Sequence, residues 1–298
     1  MQVDKPSSLN PRDSGTPPGL TAAAPRLLST LSRVSPALAI ELGLWLFFRS
    51  PQKMTMRPEQ QRILNEGRRK HWRYDGRLIP TWTWGEGPRV LLLHGWGGRA
   101  AQLTAFEEPL VEAGFQAVAM DGPAHGEASG RHTSAAHFAS TLAALSRDLG
   151  GFEAALTHSM GASAVALAMR QGLPLQRAVF VAPPVDLEHF FVLFLHTIGL
   201  AHEQHDKALR RASRRYGLPR GQLSLADNLP RHDMPFLVIH DRQDNKASFS
   251  EAEALVAALP QRAEMLATQG LGHNRILADP TVVSAALRFL QAGTRNPK

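Results

Sequence analysis

From residue 77 onward, short apolar runs alternate with amphipathic stretches, and Gly, Pro or Asp separates them. Runs such as VLLLH at 90–94 and FLVIH at 236–240 are too short for helices and rich in branched side chains, so they read as buried strands. Further strands are expected at 78–84, 116–120, 153–157, 178–182 and 263–266. Helical periodicity marks 100–113, 133–149, 160–171, 250–259 and 280–291. Strands that alternate with helices form βα units, which predicts an α/β protein: a mostly parallel central sheet with helices on both faces.

The segments outside this alternation divide the rest of the chain. Between positions 6 and 19, ten of fourteen residues are Ser, Pro, Gly or Thr, so 1–25 is expected to be a disordered tail. Residues 26–75 are expected to form a helical extension before a domain spanning 76–298. Within that extension, the run from Ala37 to Phe48 (ALAIELGLWLFF) follows Ser35, a residue suited to capping, and Pro36, which fits a first helical position. At 1.5 Å per residue it spans about 18 Å, short of the roughly 30 Å of bilayer hydrocarbon. A helix packed on the body is expected; the other reading is peripheral membrane contact, helped by Arg49 and Lys53. Residues 50–74 are polar and helix-compatible, with a basic cluster at Arg68, Arg69, Lys70 and Arg73. Residues 184–233 interrupt the strand–helix alternation with helical, His- and Arg-rich sequence, which reads as a cap inserted between two strands, since a structureless loop of that length is unusual.

Composition narrows the chemistry. Zero Cys among 298 residues removes disulfides, thiolate metal sites and cysteine nucleophiles. Lys plus Arg number 33 against 26 for Asp plus Glu, and this basic balance keeps acidic partners open. No aromatic stacking pattern accompanies the basic stretches, so nucleic acid is not expected. The first strong apolar run begins after Pro36, too late for an export signal, and a cytoplasmic location is expected.

In an open α/β sheet, ligands bind beyond the carboxyl ends of the strands. After 153–157 comes His158-Ser159-Met160-Gly161, then a helix, the arrangement of a nucleophile elbow. Thr157 stands where G-x-S-x-G has its first Gly. The loop after 236–240 carries Asp241 and Asp244, and Gly272-His273 follows the last strand. The order Ser159, Asp244, His273 is that of a triad on such a sheet. His273 takes the serine proton and Asp244 orients the imidazole. Asp241 competes for the acid role; Asp244 is favoured because it sits farther along the loop, with room to turn back. Gly95-Trp96-Gly97-Gly98 after 90–94 supplies the Trp96 backbone N–H, which with that of Met160 forms an expected oxyanion hole. His94, Gly95, His158 and the cap residues Phe190 and Phe194 are expected to line the substrate site.

The segments VLLLHGWGG, AVAMDGPAHGEAS and LTHSMGAS, with the HDRQD and GLGH loops, resemble the α/β-hydrolase superfamily over about three-quarters of the chain. The resemblance implies that fold with a cap, and a hydrolase cleaving an acyl ester or thioester without a cofactor. It also implies that Asp121 and His125 shape the site. Ser159 argues against members that use an Asp nucleophile.

Three other readings stay open. Gly95-x-Gly97-x-x-Ala100 with Asp121 resembles a dinucleotide fingerprint, although Trp96 puts bulk where a pyrophosphate needs bare backbone. His202-Glu203-Gln204-His205 is one residue short of H-E-x-x-H, so no metal is assigned. Finally, the fold can persist as an inactive binding scaffold. Neither oligomeric state nor the acyl and leaving groups are legible.

Overall fold

The computed structural model describes residues 24–51, 55–218 and 220–292. The tail expected at 1–25 lies outside the described residues up to position 23; positions 24 and 25 open helix α1 (Ala24–Val34). Among the described residues eight strands form one sheet: β1 (Arg68–Tyr74), β2 (Arg77–Trp84), β3 (Arg89–Leu93), β4 (Gln116–Met120), β5 (Ala154–His158), β6 (Arg177–Val181), β7 (Phe236–Asp241) and β8 (Ala263–Thr268). Their spatial order is β1-β2-β4-β3-β5-β6-β7-β8. Strands β3 to β8 are parallel; β2 runs antiparallel to both β1 and β4.

The inner parallel strands β3 to β7 are mostly apolar and buried because both faces are covered, whereas the edge strand β8 is partly exposed. On one face, α5 (Ala135–Leu149), α6 (Met160–Arg170) and α10 (Phe249–Ala257) join one core cluster. On the other, α3 (Pro58–Glu66), α4 (Glu107–Glu112) and α12 (Pro280–Gln291) pack around Val90, Leu92, Leu156 and Val179. Between β6 and β7 the chain inserts α7 (Leu187–Thr197), α8 (His205–Tyr216) and the short α9 (Leu225–Asn228). The short α11 (Gly272–Arg275) follows β8.

Two expected elements differ. Residues 68–74, read as part of a helical extension, are strand β1. Asp75 (φ +49°) and Gly76 (φ +68°) form the two-residue turn into β2, both left-handed as a type I′ hairpin requires. The basic residues suit an unpaired edge, where charge deters further strand pairing. The helix expected at 100–113 is a 3₁₀ segment over Ala100–Phe106 followed by α4. Pro109 lacks the N–H that would continue an α-helical ladder across the junction.

Helix α2 (Pro36–Phe48) packs one side on the body of the protein. It buries Ala39, Ile40, Leu44 and Phe48 in the same core as the cap. Burying each of the three larger side chains is worth roughly 1.5–3 kcal/mol. Pro36 occupies the first turn, but the Ser35 side chain makes no capping bond. Among the described residues no helix is long and apolar enough to cross a membrane.

Candidate active site

The sheet order reverses at β3: the chain crosses to β4 on one side, then returns to β5 on the other. Loops leaving β3 and β5 therefore diverge, and a crevice opens between them. The β3 loop carries Gly95 and Trp96, and the β5 loop carries Ser159.

Ser159 sits between β5 and α6 with φ +51° and ψ −127°, a conformation L-residues rarely adopt. Such backbone strain persists only where the surroundings hold it. The Ser159 N–H donates to Val181 O at 2.9 Å, and its carbonyl accepts from Ala162 N at 2.9 Å. The turn is tight because neighbouring backbones touch. A methyl on Gly161 would lie 2.7 Å from Leu93 O, and one on Gly95 would lie 2.7 Å from Ser159 Cβ. These two contacts require glycine. Thr157 is fully buried within β5, and the turn forms with it in place of the first Gly of the motif.

The three expected triad residues meet. His273 Nε2 lies 3.1 Å from Ser159 Oγ, and His273 Nδ1 lies 2.7 Å from Asp244 Oδ2. The Asp244 side chain is fully buried and that of His273 is 8% exposed. Asp244 Oδ1 accepts the backbone N–H groups of Lys246 (2.8 Å) and Ala247 (3.1 Å). Buried His240 adds its Nε2, 3.3 Å from Asp244 Oδ2. Burial alone would raise the Asp244 pKa, but the bonds from His240, His273 and the backbone prevail and hold it well below the carboxylate range. The sequence reading missed His240, whose only signal was a His at the strand end four residues before the acid.

The rival acid is committed elsewhere. Asp241 accepts from Thr268 Oγ1 (2.8 Å) and the Leu271 and Gln243 N–H groups (3.0 and 2.9 Å). It ties the loop after β7 to the loop before His273, while the His273 Nδ1 partner is Asp244.

Two residues expected to line the substrate site do not face it. His94 is buried; its Nε2 accepts from Gly122 N (2.9 Å), so Nδ1 carries the proton toward Gly95 O (2.7 Å). His158 is buried too, and its Nε2 donates to the carbonyl of His273 at 2.9 Å. Burial first, and neighbouring imidazoles second, push both down to a pKa of about 3. Each is neutral and structural because the turns around it need backbone partners. His125 is similar: its Nε2 accepts from Gly97 N at 2.9 Å, and burial lowers its pKa to about 4. Phe190 is 44% exposed and Phe194 partly buried, both on α7.

Gly95 and Trp96 border the nucleophile, as the close approach of Gly95 to Ser159 requires. Met160 is the first residue of α6, so its N–H is among those a helix leaves without an internal acceptor. Gly97 N and Gly98 N are committed to His125 Nε2 and Gly95 O.

The dinucleotide reading fails on Asp121. Its Oδ1 accepts Ala100 N (2.8 Å) and its Oδ2 accepts Glu127 N (2.7 Å), in a fully buried position. Buried and holding these two turns together, the carboxylate is not placed to meet a ribose. Among the described residues no group of His, Asp and Glu has the geometry to hold a metal ion.

Comparison with solved structures finds the same architecture at low identity. An esterase of Pyrococcus furiosus aligns with a TM-score of 0.62 at 17% identity, covering 82% of this chain and 98% of that one. A putative lipase of Acinetobacter baumannii aligns at 0.61 and 16%, covering 80% and 98%. A membrane phospholipase A described as a bacterial virulence factor aligns at 0.61 and 17%, covering 90% and 96%. No curated protein matches the sequence. A family model described as the alpha/beta hydrolase family matches residues 90–287. That span holds β3 except Arg89, the strands β4 to β8 and all three residues of the Ser159–His273–Asp244 chain, and the protein belongs to the alpha/beta hydrolase family.

Proposed function

We propose that this hydrolase cleaves a carboxylic ester or thioester through an acyl-enzyme. The observation that carries the reading is the continuous chain from Asp244 Oδ2 to His273 (2.7 Å) to Ser159 Oγ (3.1 Å), ending on a positive-φ turn. In this reading Ser159 Oγ attacks the carbonyl carbon while His273 Nε2 takes its proton. The carbonyl oxygen becomes an anion held by the Trp96 and Met160 backbone N–H groups. His273 then gives its proton to the leaving oxygen or sulfur, whose bond to the acyl carbon breaks. Water, deprotonated by the same imidazole, releases the acid and restores Ser159. Asp244 stays ionised and holds the proton on Nδ1. The esterase, lipase and phospholipase names among the similar folds fit acyl-ester chemistry. Peripheral membrane contact belongs to the same proposal: Leu38 and Trp45 of α2 are exposed, with the Arg49 guanidinium over the Trp45 ring.

The test is fluorophosphonate labelling read by intact mass, with Ser159→Ala alongside. One adduct on the parent and none on the variant is expected. No adduct on folded parent protein would leave the scaffold reading in its place.

A further inference from the structure

Helix α2 reaches the candidate site. Its Phe47 ring lies nearly parallel to Trp96, with centroids 6.4 Å apart and planes at 20°. The same ring meets Phe194 at 4.9 Å and Phe191 at 4.5 Å, both on cap helix α7. Trp96 is the residue after Gly95, which touches Ser159. Phe47 is therefore one ring removed from the turn beside the nucleophile, although it lies 112 residues away in sequence.

The helix is fixed there. Gly43 lets α2 press on the end of α7, since a methyl at that position would lie 3.6 Å from Leu195 Cδ2 and 3.2 Å from Cδ1 of Ile198, the residue that ends the helix. Phe48 stacks on Tyr216 of α8 at 3.8 Å. The N–H of Thr133 donates to Phe48 O, and that of Ser50 to Arg131 O, both at 2.9 Å. Upstream, Ser32 and Gln204 exchange buried bonds of 3.0 and 2.8 Å between α1 and the cap. Helices α1, α2, α7 and α8 thus share one packed unit, which explains why the ring is held in place.

Exposure separates the rings of this cluster into two sets. Phe48 and Phe191 are 1% and 2% exposed and belong to the core. Phe47, Phe194 and Trp96 are only partly buried and pack on the edge of that core. Those three keep apolar surface around the turn that carries Trp96, next to the glycine that approaches Ser159. Apolar, aromatic walls with few polar groups are what small-molecule sites use to bind hydrocarbon.

We propose that Phe47, with Trp96 and Phe194, forms a subsite for an apolar chain of the substrate, so that the N-terminal helix helps to determine which esters are cleaved. This rests on the hydrolase reading above for its chemistry, but the binding surface does not depend on the serine. The chain it receives belongs to either the acyl or the alcohol side of the ester.

The test uses the full chain with Phe47→Ala and Phe47→Leu, the second retaining apolar volume in case the first fails to fold. Hydrolysis is followed for 4-nitrophenyl acetate, butyrate and octanoate, and for ethyl and octyl acetate. Phe47→Ala is expected to lower kcat/KM by about tenfold or more on the octanoyl or the octyl ester, mainly through KM, with the acetate and ethyl ester nearly unchanged. Which series responds identifies the side. Phe47→Leu is expected to recover most of the loss. A second readout, decanoate titration followed by tryptophan fluorescence, needs no active serine, and Phe47→Ala should weaken that binding by a similar factor. Equal losses at every chain length, or octanoyl, octyl and decanoate results all matching the parent, would overturn the subsite. Decanoate binding that depends on Phe47 in a protein whose Ser159 takes no fluorophosphonate would sink the hydrolase reading and keep the subsite.

Discussion

His158 Nε2 donates to the backbone carbonyl of His273 across 2.9 Å, so the residue before the candidate nucleophile carries the loop that holds the candidate base. The two residues lie 115 positions apart in sequence. The bond fixes the distance between the two ends of the site from beneath, while Ser159 and His273 face each other above it.

Removing that donor should therefore have two effects. His158→Ala leaves a carbonyl without its partner, an expected loss of about 1–3 kcal/mol in urea unfolding. It should also lower kcat with little change in KM, because the loop bearing His273 is released while the substrate surfaces stay. His158→Gln, which offers an amide donor at similar reach, should recover part of kcat. An unchanged kcat in a folded His158→Ala protein would show that the bond does not position the imidazole.

The two aspartates should separate cleanly. Asp244→Asn leaves an amide opposite His273 Nδ1 and is expected to cost about 10⁴-fold in kcat, by favouring the wrong tautomer. Asp241→Asn should act on folding instead, because it loosens the bonds to Thr268, Leu271 and Gln243. Steady-state kinetics paired with thermal melts distinguish them. A reversed pattern, with activity lost at 241 and kept at 244, would overturn the assignment of the acid.

Thr157 offers a gain. Its buried Oγ1 has no hydrogen-bond partner among the described residues. Thr157→Val keeps the shape and removes the hydroxyl, and is expected to stabilise the protein by about 1 kcal/mol. The change lies inside the sheet, so ester turnover should stay within about twofold of the parent. A loss of stability on urea titration would mean that the hydroxyl is better satisfied than its surroundings indicate.

Acid should weaken the fold before it reaches the ordinary carboxylate range. Burial keeps His94 and His158 neutral down to a pKa of about 3, and His125 to about 4, against 6.5 for an unperturbed imidazole. Between those values the unfolded chain binds more protons than the folded one, so stability rises with pH and is lost as pH falls below 6.5. Each unit of that fall removes up to about 1.4 kcal/mol per imidazole. Asp244, held below its usual range, adds a loss of the same sign at lower pH. Urea midpoints should decline from about pH 6.5 downward. A flat profile from pH 7 to 4.5 would show that these imidazoles gain protons without unfolding.

The sequence by itself determined the parallel sheet, the strand–turn–helix around Ser159 and the order of Ser159, Asp244 and His273. These rest on local periodicity and on loops that must follow strand ends, and both are properties of short stretches of chain. The same kind of signal was present and unused at Asp75-Gly76, where a hairpin turn marks 68–74 as a strand rather than a helix. Other features belong to no short stretch. Asp244 and Asp241 lie three residues apart on one loop, and only the folded chain shows which one faces the imidazole. His94 and His158 have side chains equally fit for a ligand or a backbone carbonyl, and burial between strands and loops decides for the carbonyl. Helix α2 carries an apolar pattern that reads as packed without saying against what. Its place beside Trp96 is decided by Gly43 against Ile198 and Phe48 against Tyr216, contacts that sequence separation hides and close packing selects.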